Sequence, residues 1–240
     1  MPHLILSDIH ANLEALDAVL RDAKGQYDLI LCLGDLVDYG ADPNPVVEWT
    51  RANTLVTIRG NHDKACCGAD SLEHFHPAAR ASAMWTRTVL SRENVDYLDR
   101  LPRGPLRFEN YDLVHGSPAD EDEYLITILD VDRAREAIDA RVTFFGHTHV
   151  QGGFLLTRQA IRRIDPNRVL EVEPDHFYLV NPGSVGQPRD SDPRAAYALY
   201  SPDAQTVEYR RVEYDIEKAA HKIRAAGLPE QHAARLFVGI

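Results

Sequence analysis

The chain has 240 residues, of which 44% are hydrophobic and 26% charged, a composition that allows one substantial core and excludes the disordered and fibrous classes. Its formal net charge of -11 argues against a nucleic acid partner, because a non-specific grip on the phosphate backbone needs arrays of Lys and Arg. The three cysteines fit neither a disulfide framework nor a zinc knuckle, and no apolar run approaches the roughly 20 residues that cross a bilayer. We therefore expect a cytoplasmic protein with no membrane partner, folded as a single domain over residues 1–240, whose oligomeric state the sequence leaves open.

The first part of the chain alternates predicted strands and helices. Apolar runs at 4–6, 28–33 and 55–58 predict strands. Helical spacing predicts a helix from an Asn12 cap to about residue 24, and Asn44 followed by Pro45 predicts the start of a second helix. This alternation indicates a βαβ unit and a partly parallel sheet.

Residues 64–101 lack strand patterning and are predicted to be helical, with Ser91 as a helix cap. This segment is a candidate lid or specificity insert. The strand pattern returns at 112–114, is followed by a predicted helix at 130–140, and appears again at 142–145.

The last third of the chain changes character. Short apolar runs separated by Pro, Asn, Gly and Asp predict antiparallel strands and a second sheet, at 153–157, 169–173, 177–180, 195–200 and 206–212. Helical spacing then runs from Ile216 to Ile223, and Gly227-Leu228-Pro229 predicts the end of that helix.

Five polar segments directly follow predicted strands: Asp8-Ile9-His10, Gly34-Asp35, Gly60-Asn61-His62-Asp63, Val114-His115-Gly116 and Gly146-His147-Thr148-His149. Loops that leave the carboxyl ends of parallel strands gather at one edge of a sheet, so these side chains are expected to converge. An Asp and a His two residues apart can aim at one metal ion, as can two such His. Asp35 can bridge a metal pair about 3.5 to 4 Å apart through its two oxygens.

Each segment also has an ordinary interpretation. A single Asp-x-His or His-x-His is more often a polar loop, Asp35 and Asn61 suit simple turns, and His115 suits a half-buried strand end. The occurrence of all five at strand ends favours a metal site.

These segments, with Asp38 in Gly34-Asp35-Leu36-Val37-Asp38, resemble the calcineurin-like metallophosphoesterase superfamily from Asp8 to His149. The loop Asn181-Pro182-Gly183-Ser184-Val185-Gly186 resembles its compact bacterial and archaeal phosphodiesterase-like branch. The resemblance implies an α/β (α+β) fold, a four-layer α/β/β/α sandwich of two mixed sheets with a dimetal site at one edge.

The resemblance also implies roles for residues. The implied metal ligands are Asp8, His10 and His149 for one ion, Asn61, His115 and His147 for the other, and Asp35 between them. In the family a bridging hydroxide attacks phosphorus in line, and the residue matching His62 assists the leaving group. Asp38 can orient His62, although a surface acid fits that position equally well. Manganese is the metal we expect, and iron, cobalt, nickel or zinc would suit the same ligands.

We therefore predict a metal-dependent phosphohydrolase acting on a small phosphorylated substrate, with phosphodiesters preferred over phosphomonoesters. Tyr39 stands where diadenosine tetraphosphatases and Ser/Thr phosphoprotein phosphatases carry Arg, and it and Arg189 are predicted to contact substrate. Arg59 and Lys64 are weaker candidates for binding phosphate. A catalytically weak protein-interaction scaffold of the same fold and a nuclease are the alternatives.

Overall fold

A computed structural model describes residues 2–240. The strands are β1 (His3–Leu6), β2 (Leu29–Cys32), β3 (Val56–Thr57), β4 (Leu106–Arg107), β5 (Tyr111–Leu113), β6 (Val142–Phe144), β7 (Gly152–Leu156), β8 (Ile161–Arg163), β9 (Leu170–Glu171), β10 (Phe177–Asn181), β11 (Ala195–Ser201) and β12 (Thr206–Val212). The helices are α1 (Leu13–Asp22), α2 (Pro43–Asn53), α3 (Asn61–Cys66), α4 (Pro77–Val89), α5 (Arg92–Asp99), α6 (Ile128–Ala134), α7 (Ile216–Ala225) and α8 (Glu230–Leu236). Within residues 2–240 no helix is long and apolar enough to cross a membrane.

The strands form two mixed six-stranded sheets, in the orders β3-β2-β1-β11-β12-β9 and β4-β5-β6-β10-β7-β8. In the first sheet β1, β2 and β3 are parallel, and β11 joins β1 antiparallel with Leu4 opposite Leu199. In the second, β5, β6 and β10 are parallel, and β7 is antiparallel to β10. The predicted second sheet is present, and the C-terminal strands divide between both sheets.

Four layers follow from alternate burial along the strands. Ile5 and Leu31 of the first sheet meet Phe144 of the second in the core between the sheets. Leu4 and Leu6 point the opposite way, against the apolar stripe of α1. On the far side α6 packs on the outer face of the second sheet. The predicted four-layer sandwich is confirmed, and each large aliphatic side chain buried in it contributes about 1.5–3 kcal/mol.

Several boundaries differ from the predictions. The Asn12 cap is confirmed, since its Oδ1 accepts a hydrogen bond from the Ala15 amide at 3.1 Å. α2 begins at Pro43 rather than after Asn44, with a proline in its first turn. The helix predicted at 130–140 is shorter: a Thr127 cap starts α6, which tightens into a 3₁₀ turn at 135–137.

The segment at 64–101 is helical as predicted, and Ser91 caps α5. Its first helix already begins at Asn61, so the Gly-Asn-His-Asp motif opens α3 rather than preceding it. α7 ends at Ala225, just before Gly227-Leu228-Pro229 as expected, but Pro229 is the N-cap of α8, which the apolar pattern did not reveal. The two-residue β4 and three-residue β8 were also not predicted, because such short edge strands carry no alternation.

Candidate metal centre and adjoining cleft

The loops after β1, β2, β3, β5 and β6 meet at one edge of the sandwich. They bring together every metal ligand predicted from the sequence: Asp8, His10, Asp35, Asn61, His115, His147 and His149. All but Asn61 are buried, although each is charged or polar. Buried groups of this kind must find partners or a bound ion.

The first cluster contains Asp8, His10, Asp35 and His149, with one ligand atom of each within 4.8 Å of the others. The Nε2 atoms of His10 and His149 are 3.1 Å apart. His149 Nε2 also lies 3.3 Å from Oδ1 of Asp8. The four groups therefore point at a common centre.

The second cluster contains Asp35, His115 and His147. Oδ1 of Asn61 lies 3.2 Å from His115 Nε2, which places the amide beside this cluster. Asp35 belongs to both clusters because its Oδ2 is 3.3 Å from His115 Nε2 and 3.6 Å from His10 Nε2. One carboxylate thus lies between two groups of imidazoles.

Main-chain carbonyls set the tautomers of the imidazoles. Nδ1 donates to a carbonyl in His10 (Val37 O, 2.9 Å), His115 (Leu33 O, 2.7 Å) and His149 (Gln187 O, 2.6 Å). A carbonyl only accepts, so in the neutral ring the lone pair is on Nε2, which faces the centre. His147 is reversed, because its Nε2 donates to Asp122 O at 3.1 Å. Such outer hydrogen bonds orient imidazoles for metal binding.

Burial keeps most of these rings neutral and both carboxyl groups ionised. Burial lowers the pKa of His10 and His149, and with the charge of His115 lowers the pKa of His147 to about 3. Burial also opposes the charge on His115, but the carboxylate of Asp35 outweighs it and raises the His115 pKa to about 10. Burial alone would raise the pKa of Asp35, yet the surrounding imidazoles hold it well below its usual range. The centre therefore demands positive charge.

The backbone of this edge is strained. Among residues 2–240, ten non-glycine residues have a positive φ, and eight of them lie here: Asp8, His10, Ala11, Asp35, Asp38, Tyr39, His147 and His149. Such backbone costs of order 1–3 kcal/mol per residue and persists where the surroundings enforce it. A Cβ on Gly60 would lie 2.0 Å from Oδ1 of Asp35, so only glycine lets this loop approach.

Asp63 fixes two ligand loops, a role that the sequence analysis did not assign. Its Oδ2 accepts from the amides of Asp35 at 2.8 Å and Gly60 at 2.9 Å, and its Oδ1 accepts from Leu36 at 2.8 Å. A carboxylate two residues after Asn61 was visible in the motif. Two of its three partners, Asp35 and Leu36, belong to a different loop, and no local pattern reveals that contact.

The loop at 181–186 clamps two other ligand loops. Asn181 Nδ2 donates to Gly146 O at 2.9 Å, and Ser184 Oγ donates to Asp8 O at 2.8 Å. Gly186 also donates its amide to Asp8 O at 3.0 Å. The loop therefore holds the two metal-ligand segments together from behind.

His62 and its neighbours lie beside the clusters. His62 Nδ1 donates to Asp38 Oδ2 at 2.7 Å, and Nε2 is 3.0 Å from the Tyr39 hydroxyl. Burial opposes protonation of His62, but Asp35 and Asp38 together raise its pKa. Burial raises the pKa of Tyr39, which keeps the hydroxyl neutral. Nη2 of Arg189 is 3.4 Å from that hydroxyl, so Tyr39 lies between an imidazole and a guanidinium.

The other basic candidates are engaged elsewhere. Arg59 forms a two-bond pair with Glu121 at 2.8 and 3.0 Å, and Lys64 pairs with Asp122 and Glu121. Both are therefore parts of an ion-pair network rather than free phosphate-binding groups. The cysteines are free, and burial raises the pKa of the Cys66 thiol.

A cleft of about 840 Å³ opens beside His62. Its walls come from four places: the segment between α3 and α4, the loop before α6, the loop between β10 and β11, and α8. The lining residues include Phe75, His74, His76, Asp122, Tyr124, Arg189, His232 and Arg235. Tyr124 stacks on His147 with ring centroids 3.7 Å apart. The sequence analysis missed Tyr124 and all of α8, since neither has a motif.

Comparisons with known proteins agree with this geometry. A family model described as the calcineurin-like phosphoesterase superfamily domain matches residues 1–205. An uncharacterized protein of Methanocaldococcus jannaschii is 37% identical over 243 residues, covering 98% of this chain and 97% of the relative. The crystal structure of a metallophosphoesterase from Sphaerobacter thermophilus is 42% identical with a TM-score of 0.89, covering 100% and 99% of the two chains. A hypothetical protein from Pyrococcus horikoshii shares the fold at 20% identity, with a TM-score of 0.79 and coverage of 100% and 98%.

Fold, site and comparisons together define a metallophosphoesterase hydrolase. The chain belongs to the calcineurin-like phosphoesterase superfamily, which confirms the resemblance seen in the sequence. The family implies divalent metal ions, and the residues present fit them. Buried Oδ2 atoms of Asp8 and Asp35 have no hydrogen-bond partner in the described chain, and the inward lone pairs of His10 and His149 face each other. A cation satisfies all four groups at once.

Proposed function

We propose that the protein hydrolyses phosphodiester bonds with two divalent cations, and accepts phosphomonoesters less well. The observation that carries this proposal is the position of Asp35 Oδ2, which accepts no hydrogen bond within residues 2–240 and lies between His10 Nε2 and His115 Nε2. The first cluster would hold one cation, and the second cluster with Asn61 would hold the other. When bound, such cations withdraw electron density from phosphoryl oxygens and lower the pKa of water.

His62 would supply the proton to the leaving oxygen. Its Nδ1 is committed to Asp38, so the transferable proton is on Nε2. The Tyr39 hydroxyl lies 3.0 Å from Nε2, which shows that this nitrogen can form a hydrogen bond to an oxygen atom on that side. Asp38 would keep the ring oriented and stabilise its protonated form, as orienting carboxylates do in hydrolases.

The preference for diesters rests on charge and space. One guanidinium, that of Arg189, lies beside His62 and is shared with the neutral hydroxyl of Tyr39. A monoester dianion carries more charge on its terminal oxygens than a diester and gains more from cationic donors. The wide cleft also leaves room for a second ester group.

Manganese is the metal we propose. Mixed imidazole, carboxylate and amide ligands suit Mn, Fe, Co, Ni and Zn, and cells select among these by geometry and availability. The test is to strip the protein with a chelator, reload it with each metal and measure kcat/KM for methyl p-nitrophenyl phosphate and p-nitrophenyl phosphate, which share a leaving group. We expect the highest activity with Mn²⁺ and a higher kcat/KM for the diester.

The matched control is Asp35→Asn, which keeps the size of the side chain and removes its charge. We expect this variant to lose nearly all metal-dependent turnover. A wild-type protein that binds the metals but hydrolyses neither compound would instead favour a protein-interaction scaffold. A higher kcat/KM for the monoester would overturn the diester assignment.

A further inference from the structure

Two arginines contribute positive charge to the cleft. Arg189 and Arg235 both line it, and neither forms an ion pair with an Asp or Glu side chain within residues 2–240. Nε of Arg189 is buried and has no hydrogen-bond partner among the described residues. The acidic residues of the same cleft, Asp70 and Asp122, already pair with Lys64. Within residues 2–240, no acidic side chain therefore neutralises Arg189 or Arg235 on that side of the cleft.

Arg235 is held in place by α8. Its Nε donates to the main-chain oxygen of Ile240 at 2.7 Å, which leaves the two terminal nitrogens of the guanidinium for another partner. Burial and the nearby charge of Arg189 lower the pKa of Arg235. Two like charges in one partly buried cleft repel each other, and a bound anion would remove that cost.

A second residue of α8 also has an unsatisfied polar atom. His232 lines the cleft and is 1% exposed, and its ring lies 4.8 Å from that of Tyr39. Nε2 donates to Ala78 O at 3.2 Å, so Nδ1 is a lone-pair acceptor, and it has no partner in the part of the chain that the structure describes. A buried acceptor left in this state is costly, and a hydroxyl or amide donor on a ligand could satisfy it, whereas a phosphate oxygen could not.

We infer that α8 forms a second anion-binding subsite, in which Arg235 binds a phosphate group that the substrate carries away from the ester being cleaved. This rests on the proposed function and deepens it, because it assigns the substrate to small phosphoesters with a second phosphoryl group. Arg189, beside Tyr39 and His62, serves the reacting phosphate, and Arg235 serves the remote one. The guanidinium fork matches phosphate with two parallel hydrogen bonds. The family model ends at residue 205, so α8 lies outside the part shared by the superfamily.

The test compares two substrates that differ by one phosphate: thymidine 5′-(p-nitrophenyl phosphate) with and without a 3′-phosphate. On the Mn²⁺-loaded protein we expect kcat/KM to be about 10- to 100-fold higher with the 3′-phosphate, the range for a charge-assisted contact. Arg235→Gln should bring this ratio close to 1, because it should lower kcat/KM much more for the 3′-phosphorylated compound than for the compound without the 3′-phosphate. That second rate also shows that the variant is folded. Arg235→Lys should keep part of the preference.

Arg100→Gln is the control. Arg100 is an exposed arginine at the C-terminal cap of α5, and it does not line the cleft, so this variant should leave the ratio unchanged. A ratio near 1 in the wild type, or one that Arg235→Gln does not alter, overturns the inference. If the wild type hydrolyses neither compound, the proposed function fails. Both compounds then remain intact, and calorimetric titration with each of them tests whether the subsite binds the 3′-phosphate. Tighter binding of the 3′-phosphorylated compound that disappears in Arg235→Gln supports it, and equal binding overturns it.

Discussion

The imidazole of His62 has a partner on each nitrogen, Asp38 on Nδ1 and the Tyr39 hydroxyl on Nε2. For His62→Ala we predict a fall in kcat on the order of 10² to 10⁴ on an alkyl diester, the range for loss of a general acid. An aryl diester should lose less, because a good leaving group needs little protonation. The variant should keep its metal content, measured by atomic absorption.

His221→Ala is the matched control, since His221 is an exposed histidine of α7 and should leave kcat unchanged. Loss of metal from His62→Ala would show that His62 is a ligand rather than the proton donor.

The residues that could be identified from the sequence occur in short motifs, so their neighbours in the chain indicate their role. Asp8 with His10, and His147 with His149, are pairs within one loop. Asp63 and Tyr124 could not be assigned, because Asp63 acts on the amides of another loop and Tyr124 acts through stacking on His147. Their roles come from contacts between distant segments of the chain.

At the scale of elements, α7 is fixed to α1 by one buried acid. Glu14 Oε1 accepts from Lys222 at 2.7 Å and Lys218 at 3.0 Å, and its side chain is 6% exposed. Burial opposes ionisation of Glu14, but the two lysines lower its pKa. We predict that Glu14→Gln lowers the free energy of unfolding by about 1 kcal/mol at pH 7, as expected for a partly exposed ion pair.

The pH dependence follows from the sign of that shift. A carboxyl whose pKa is lower in the folded state contributes stability above its unfolded pKa, and this stability is lost as pH falls through the folded pKa. The difference between wild type and Glu14→Gln in urea unfolding should therefore shrink below about pH 4.5, the unfolded value. Glu93→Gln, which removes an exposed partner of Arg51, is the comparison and should change little. A difference that grows on acidification would contradict this account.

Most elements were predictable because their faces differ. α1 has one buried face, and β1 and β2 are buried along most of their length. Helical spacing of apolar residues and short apolar runs predict these two kinds of burial. α8 was not predicted, because the residues by which it lines the cleft, His232 and Arg235, look in the sequence like an ordinary polar face.

At the scale of the whole molecule, the candidate metal centre lies where loops of both sheets meet, so bound metal should stabilise the sandwich as a unit. We predict that chelation lowers Tm and that Mn²⁺ restores it. Ligand bound at 100 times its Kd adds about 2.7 kcal/mol. In a chain of this length that corresponds to a shift of about 5–11 °C. Scanning calorimetry with and without Mn²⁺ measures it.

Asp35→Asn supplies the control, because it should unfold at the same temperature with or without Mn²⁺. A wild-type Tm that ignores both chelator and metal would show that the Asp/His clusters do not bind ions strongly.

The layered architecture followed from the family resemblance, but the membership of each sheet did not. β10 pairs with β6 and β7, whereas β11 crosses to β1, although both runs look alike in the sequence. Which sheet a strand joins depends on packing between the layers, and a short apolar run does not indicate which layer it will pack in.

The left-handed backbone at the metal centre has a practical consequence for building libraries. Asn and Gly tolerate that conformation, whereas β-branched residues do not. A Val or Ile at Asp8, Asp35 or Asp38 would therefore impair folding, and its effect on catalysis would not be measured. An inactive reference protein is therefore best made with Asn at these positions. A screen that scores activity alone would confuse misfolded clones with folded but catalytically inactive ones, and should therefore record soluble yield beside turnover.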